Sequence, residues 1–180
     1  MGIVVLNKPA NRRIPMHVTR SLHLIDLENL CGSGLPPTSL IEQVWRTYRY
    51  GVPTSLEDHY VVGSSHIFAS RAWFVLPVQG VQRRARSGQD GGELAILADV
   101  DLDHAAKRFD RLVIASGDGM FTEAANQARR HGLHVHQVSG LGACSRALAA
   151  SAHTHSRLRL GAIEADRTVT SSKVDQTLAA

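Results

Sequence analysis

Little in this sequence could staple a fold, fill a core with aromatic bulk or cross a membrane. Its two cysteines, Cys31 and Cys144, lie far apart and form neither a disulfide framework nor a metal knuckle. Both read as small side chains, buried or half-buried, in a reducing cytosol. Aromatic residues make up 5% of the chain, so the core must come from Leu, Val, Ile and Ala, with Trp45 and Trp73 as core residues. No stretch approaches the roughly 20 apolar residues of a membrane span. Residues 1–20 lack the apolar centre of a signal peptide and carry Pro9, Asn11 and Pro15. The expectation is a soluble cytoplasmic protein.

What is present fits an ordinary globule. The 180 residues are 43% hydrophobic and 20% charged, within the range of one domain. The net charge of +4 is unevenly placed: Arg12, Arg13 and Arg20 come early, and Arg83, Arg84 and Arg86 form a tight group. Such a group is either a solvated face or a patch for phosphate backbones.

Strand-like and helix-like segments alternate. Residues 1–20 suggest an arm or edge strand, 21–160 a domain, and 161–180 a weakly packed tail. Residues 21–27 (SLHLIDL) stop too soon for a helix and read as a buried strand. A capped helix is predicted from Thr38 or Ser39 to about Tyr50, a strand over 59–62, a short helix over 65–72 and a strand over 73–78. Residues 79–92 read as irregular and exposed, and 93–107 as one amphipathic helix. Residues 111–115 (RLVIA) give the clearest strand, followed by a tight turn, a helix over 121–131 ended by Gly132, a strand over 133–138 and a helix over 141–151. This alternation predicts an α/β fold with a mostly parallel sheet between helical layers.

In such sheets ligands bind beyond the carboxyl ends of the strands. Two strand ends carry acids there: Asp26, in Ile25-Asp26-Leu27-Glu28-Asn29, and Asp118, in Ser116-Gly117-Asp118. Each alone could be a helix cap. The pair suits a hard cation held by oxygens, and Asp26, behind Leu24 and Ile25, must be desolvated. Glu93 follows Gly91-Gly92 at a helix start, where the helix dipole also favours an acid. Asp99 and Asp103 are expected on one helical face, with Asp101 and Asp103 solvated. His134 and His136 alternate on a strand and His153 and His155 follow; without paired cysteines or acids they read as surface or packing residues.

Asp26-x-x-Asn29, the acid-bearing helix with Glu93 and Asp99, and Ser116-Gly117-Asp118 followed by Phe121 together resemble the NYN domain, a branch of the PIN-like metal-dependent ribonucleases. The resemblance runs from about Ser21 to Leu158 and takes in Ser145-Arg146-x-Leu148. It implies a three-layer αβα, PIN-like Rossmannoid fold and a divalent-metal-dependent endoribonuclease. It further implies Asp26, Asp99 and Asp118 as ligands of Mg²⁺ or Mn²⁺, with Glu93 as a fourth acid. By the same resemblance Asn29 positions a water or phosphate oxygen, Ser116 orients Asp118, and Arg83, Arg84 and Arg86 contact RNA. Met120 departs from the pattern: the family has Asp there.

Two other readings compete. A haloacid-dehalogenase-type phosphatase shares an Asp-x-acid and a Gly-Asp-Gly, but Asn29-Leu30 and Met120-Phe121 do not fit it. A PIN-like module that has lost its chemistry and binds RNA or a protein is the other, with Met120 as its mark. RNA is the expected partner and a membrane is not; pairing of two copies stays open.

Overall fold

A computed structural model describes residues 19–77, 79–98 and 100–161. The expectations for the first residues, for Asp99 and for the tail after 161 therefore lie outside the described residues.

β1 (Ser21–Asp26) is buried along its whole length, as its apolar run demands. It leads straight into a short helix, α1 (Leu27–Cys31), closed by Gly32 at φ 68°. α2 (Thr38–Gly51) turns Ile41, Val44, Trp45 and Tyr48 inward at helical spacing. β2 (His59–Ser64) and α3 (His66–Ala72) follow, the helix capped by Ser65. The chain continues through β3 (Val81–Ala85), α4 (Gly91–Leu97), α5 (Leu102–Ala106) and β4 (Arg111–Ala115). After a 3₁₀ turn over Gly119–Phe121 come α6 (Thr122–Arg130), β5 (His134–Ser139), α7 (Arg146–Ser151) and β6 (Thr154–Arg157).

The six strands lie in the order β3-β2-β1-β4-β5-β6, and every neighbouring pair is parallel. One face packs Ile25, Val62, Val113 and Val138 against α1, α2 and α3. The other packs Leu24, Val61, Ile114 and Val135 with residues of α4, α5, α6 and α7. Two helical layers thus enclose an α/β sheet whose order reverses between β1 and β4, the crevice where such folds bind ligands.

Several segments differ from the sequence expectation, among them β6, where the sequence suggested no element. Residues 73–76 turn rather than pair; the strand is the basic Val81–Ala85, expected to be irregular. As an edge strand it needs only one ladder partner and little apolar side chain, so its pattern was weak. The helix expected over 93–107 is two, broken before Asp101, whose carboxylate accepts the His104 amide and starts α5 afresh. The final helix begins at Arg146 because Gly140 and Gly142 are pressed against the backbone of Leu30 and Asn29. Cys31 is buried and Cys144 exposed.

A polar link lies inside the layer of α2. His23 meets the Tyr48 hydroxyl at 2.6 Å and Asp58 Oδ2 at 3.2 Å. Burial pushes the Asp58 carboxyl up, but hydrogen bonds from His23, the Ser55 and Ser21 amides and the Ser55 hydroxyl outweigh it and hold it well below the usual range. With His23 and Tyr48 fully buried, this network ties β1 to α2 and meets no solvent.

Candidate active site

β1 and β4 end side by side, Ile25 paired with Ala115, so the next residues on each, Asp26 and Ser116, share the sheet face that α4 covers. Ser116 Oγ donates to Asp26 Oδ2 at 2.9 Å and accepts from the Asp118 amide at 3.0 Å. Asp26 Oδ1 accepts from the Asn29 amide at 3.1 Å, and Asp118 Oδ1 from the Met120 amide at 2.8 Å. Both aspartates therefore do cap short helical turns. They also stand one serine apart.

α4 brings the third acid. Its glycine start lets it lie directly on β2: a Cβ on Gly63 would meet Ile96 and the Gly92 carbonyl, and one on Gly92 would meet the Ser64 backbone. Glu93, in the first turn, hydrogen-bonds Asp26 through its carboxyl and feels the charge of Asp118. Burial first, then the Glu93 charge, pushes the Asp26 carboxyl up to about 7. Burial and then Asp118 raise Glu93 as well, against the pull of its own amide. Each acid thus makes it harder for the other to ionise, because two charges that close, with one fully buried, repel without water to screen them.

Asn29 bridges the loops. Its Oδ1 accepts from the Gly117 amide at 2.8 Å and its Nδ2 reaches the Ala143 carbonyl at 3.5 Å. Both ends of the amide are engaged, so this residue clamps the loops after β4 and β5 to β1. Gly117 has no room for a Cβ, which would lie 1.8 Å from the Ala143 carbonyl oxygen.

The arginines separate. Register aligns Asp26, Gly63 and Arg84 on one level of one face, two strand spacings (about 10 Å) apart. Arg83 points to the other face, where its guanidinium donates to the Leu76 and Pro77 carbonyls at 2.6 and 3.1 Å beside the Trp73 ring. Arg86 is exposed just past β3. Asp103 pairs with His131 at 2.9 Å and is turned away from the cluster.

Two contributors were not expected from sequence. Glu28 accepts the Ser65 amide, anchoring α3, and its charge adds to the rise at Asp26. Gln137, buried on β5, donates to the Ser116 carbonyl at 3.1 Å, holding the turn that carries Ser116 and Asp118. Neither has a local signature, since each depends on which strands become neighbours.

The donors are all carboxylate oxygens whose mutual repulsion a cation would relieve, and that chemistry suits a hard divalent ion. Among the described residues no three His, Cys, Asp or Glu side chains stand in metal-holding proximity. Asp26 and Glu93 are the two carboxylates close enough to share such an ion, and Asp118 stands on the far side of Ser116.

The fold is a doubly wound parallel sheet with acids gathered at its switch point. The NYN domain model matches residues 44–159, well over half of the chain, and the chain belongs to the NYN domain family. The match takes in Glu93, Ser116 and Asp118 but begins after Asp26 and Asn29, which only the fold joins to them. A solved structure of a protein of unknown function from Vibrio parahaemolyticus shares the fold at a TM-score of 0.51 and 18% identity, covering 80% of this chain and 95% of that one. No curated protein matches. Among the described residues no helix is long and apolar enough to cross a membrane.

Proposed function

We propose that this chain hydrolyses RNA phosphodiester bonds at the cluster of Asp26, Glu93 and Asp118, with Mg²⁺ or Mn²⁺ as its cofactor. The observation that carries the reading is the placement of Asp26 and Asp118 on either side of Ser116, with the Glu93 carboxyl against Asp26, at the strand ends where this fold binds ligands. The chemistry a bound divalent cation supplies is stabilisation of charge on the phosphate and a lower pKa for the attacking water.

The chain's own residues do the rest. Asp26, Glu93 and Asp118 would hold the cation. Ser116 fixes Asp26 and Asp118 relative to each other, and Asn29 keeps their two loops together. Arg84, level with Asp26, and the exposed Arg86 place positive charge for the RNA backbone on the same flank. Arg83, engaged with its own turn, holds the edge strand.

A second reading, RNA binding without cleavage, is favoured by Met120, which has a thioether side chain where the family has a carboxylate. One assay separates the two. With Mn²⁺ the wild-type chain should cut single-stranded RNA, and Asp118→Asn should reduce the rate by roughly 100-fold or more. Binding without cleavage under either cation would support the second reading, and undiminished cleavage by Asp118→Asn would exclude this cluster as the site.

A further inference from the structure

The far edge of the sheet carries a second group of metal-ligating side chains, remote from the acids. His134 and His136 stand at alternate positions of β5 and therefore on one face. β6 brings Thr154 opposite His136 and Ser156 opposite Val138 on that same face. His134 Nε2 lies 3.1 Å from Thr154 Oγ1, and His136 Nδ1 lies 2.8 Å from the same oxygen. Two imidazole nitrogens thus converge on one point at an accessible surface, where His134 and Thr154 are exposed and His136 half-buried.

We propose that His134 and His136 form a two-imidazole chelate for a borderline divalent ion of the Zn²⁺ or Cu²⁺ type, entering where the Thr154 hydroxyl now stands. Rotation of Thr154 about χ1 vacates that point. The outer contacts are those of a metal-bound imidazole. His136 Nε2 meets Ser156 Oγ at 3.1 Å, so a proton there is satisfied by Ser156 and the Nδ1 lone pair faces inward. The His134 ring is stacked on His153 with centroids 4.9 Å apart. His153 is itself fixed by accepting the Val135 amide at 2.9 Å.

Both imidazoles are held below their ordinary range, which favours the neutral form that ligates. Burial, then the neighbouring His153 and Arg111, lowers His134. Burial, then Arg111 and the other nearby histidines, lowers His136 to about 4. Arg111 is turned away, donating to Ser21 Oγ at 2.9 Å and to the Pro53 carbonyl. No third His, Cys, Asp or Glu joins the pair among the described residues; water completes the shell. Imidazole donors select Zn²⁺ and Cu²⁺, whereas the carboxylate cluster selects Mg²⁺ and Mn²⁺, so the two sites are chemically separate.

Calorimetric titration of the full chain with Zn²⁺, and separately with Cu²⁺, tests this. The wild type and Asp118→Asn should each bind an ion that excess Mg²⁺ does not displace. His134→Ala and His136→Ala should lose it, and Ser156→Ala should weaken it by roughly tenfold. His136→Gln, which keeps a polar side chain on β5, should lose it too, so a folding defect in the alanine variant cannot decide the matter. Wild type that binds neither ion, or histidine variants that bind as the wild type does, would overturn the site.

Discussion

At the residue scale, Asp26 carries the strongest consequence. Its carboxyl holds a proton more tightly in the folded chain, up to about 7, than the ordinary value of 3.8. The stability that proton contributes is fully present below about pH 4 and is lost as pH rises through 7. His23, His134 and His136 are lowered when folded and act in the opposite sense, destabilising the fold at low pH and ceasing to do so as pH rises to 6.5. The absolute pH profile therefore mixes both, and the difference between wild type and Asp26→Asn isolates the acid. Urea midpoints should show Asp26→Asn gaining on the metal-free wild type as pH goes from 5 to 8. A constant difference would mean that Asp26 is ionised at both ends. Local sequence revealed why Asp26 had to be unusual, since an aspartate behind Leu24 and Ile25 cannot be solvated. It did not reveal that Glu93 would be the acid whose charge reaches it.

Among the elements, α4 decides the site, because it alone delivers Glu93 over β2. The contact depends on a missing side chain: a Cβ at Gly63 would stand 2.3 Å from Ile96 Cγ1 and 2.4 Å from the Gly92 carbonyl oxygen. Gly63→Ala should cost about 1–3 kcal/mol through overpacking and displace Glu93. Chemical denaturation measures the first effect, and loss of the raised Asp26 pKa, followed by its carboxyl resonance, measures the second. Unchanged values for both would show that α4 yields without moving the acid. The buried strands β1, β4 and β5 were legible because apolar runs of that length have few other solutions. β3 was not, because an edge strand rich in Gln and Arg looks like a loop until a neighbour pairs with it. The break between α4 and α5 was hidden for a related reason, since Asp101 reads equally well as a solvated helical position or as a cap.

Over the whole molecule, sequence order and spatial order part company. β1 and β4 are distant in the chain, yet the reversal of strand order sets them side by side, bringing Asp26 to Ser116 and Asp118. The alternation of elements foretold a parallel sheet but not the order β3-β2-β1-β4-β5-β6. That order is what sets Asp26 beside Ser116 and Asp118, while the alternation of side chains along β3 divides Arg84 from Arg83. The family match, which begins at residue 44, likewise leaves Asp26 to the fold.

Mn²⁺ binding measured by electron paramagnetic resonance, on wild type and on Asp118→Asn, tests the central claim most directly. The wild type should bind Mn²⁺ and be stabilised by it, by about 2.7 kcal/mol at a hundredfold excess over Kd, while Asp118→Asn binds more weakly and gains less. Equal binding by the two proteins, or no binding by either, would contradict the account.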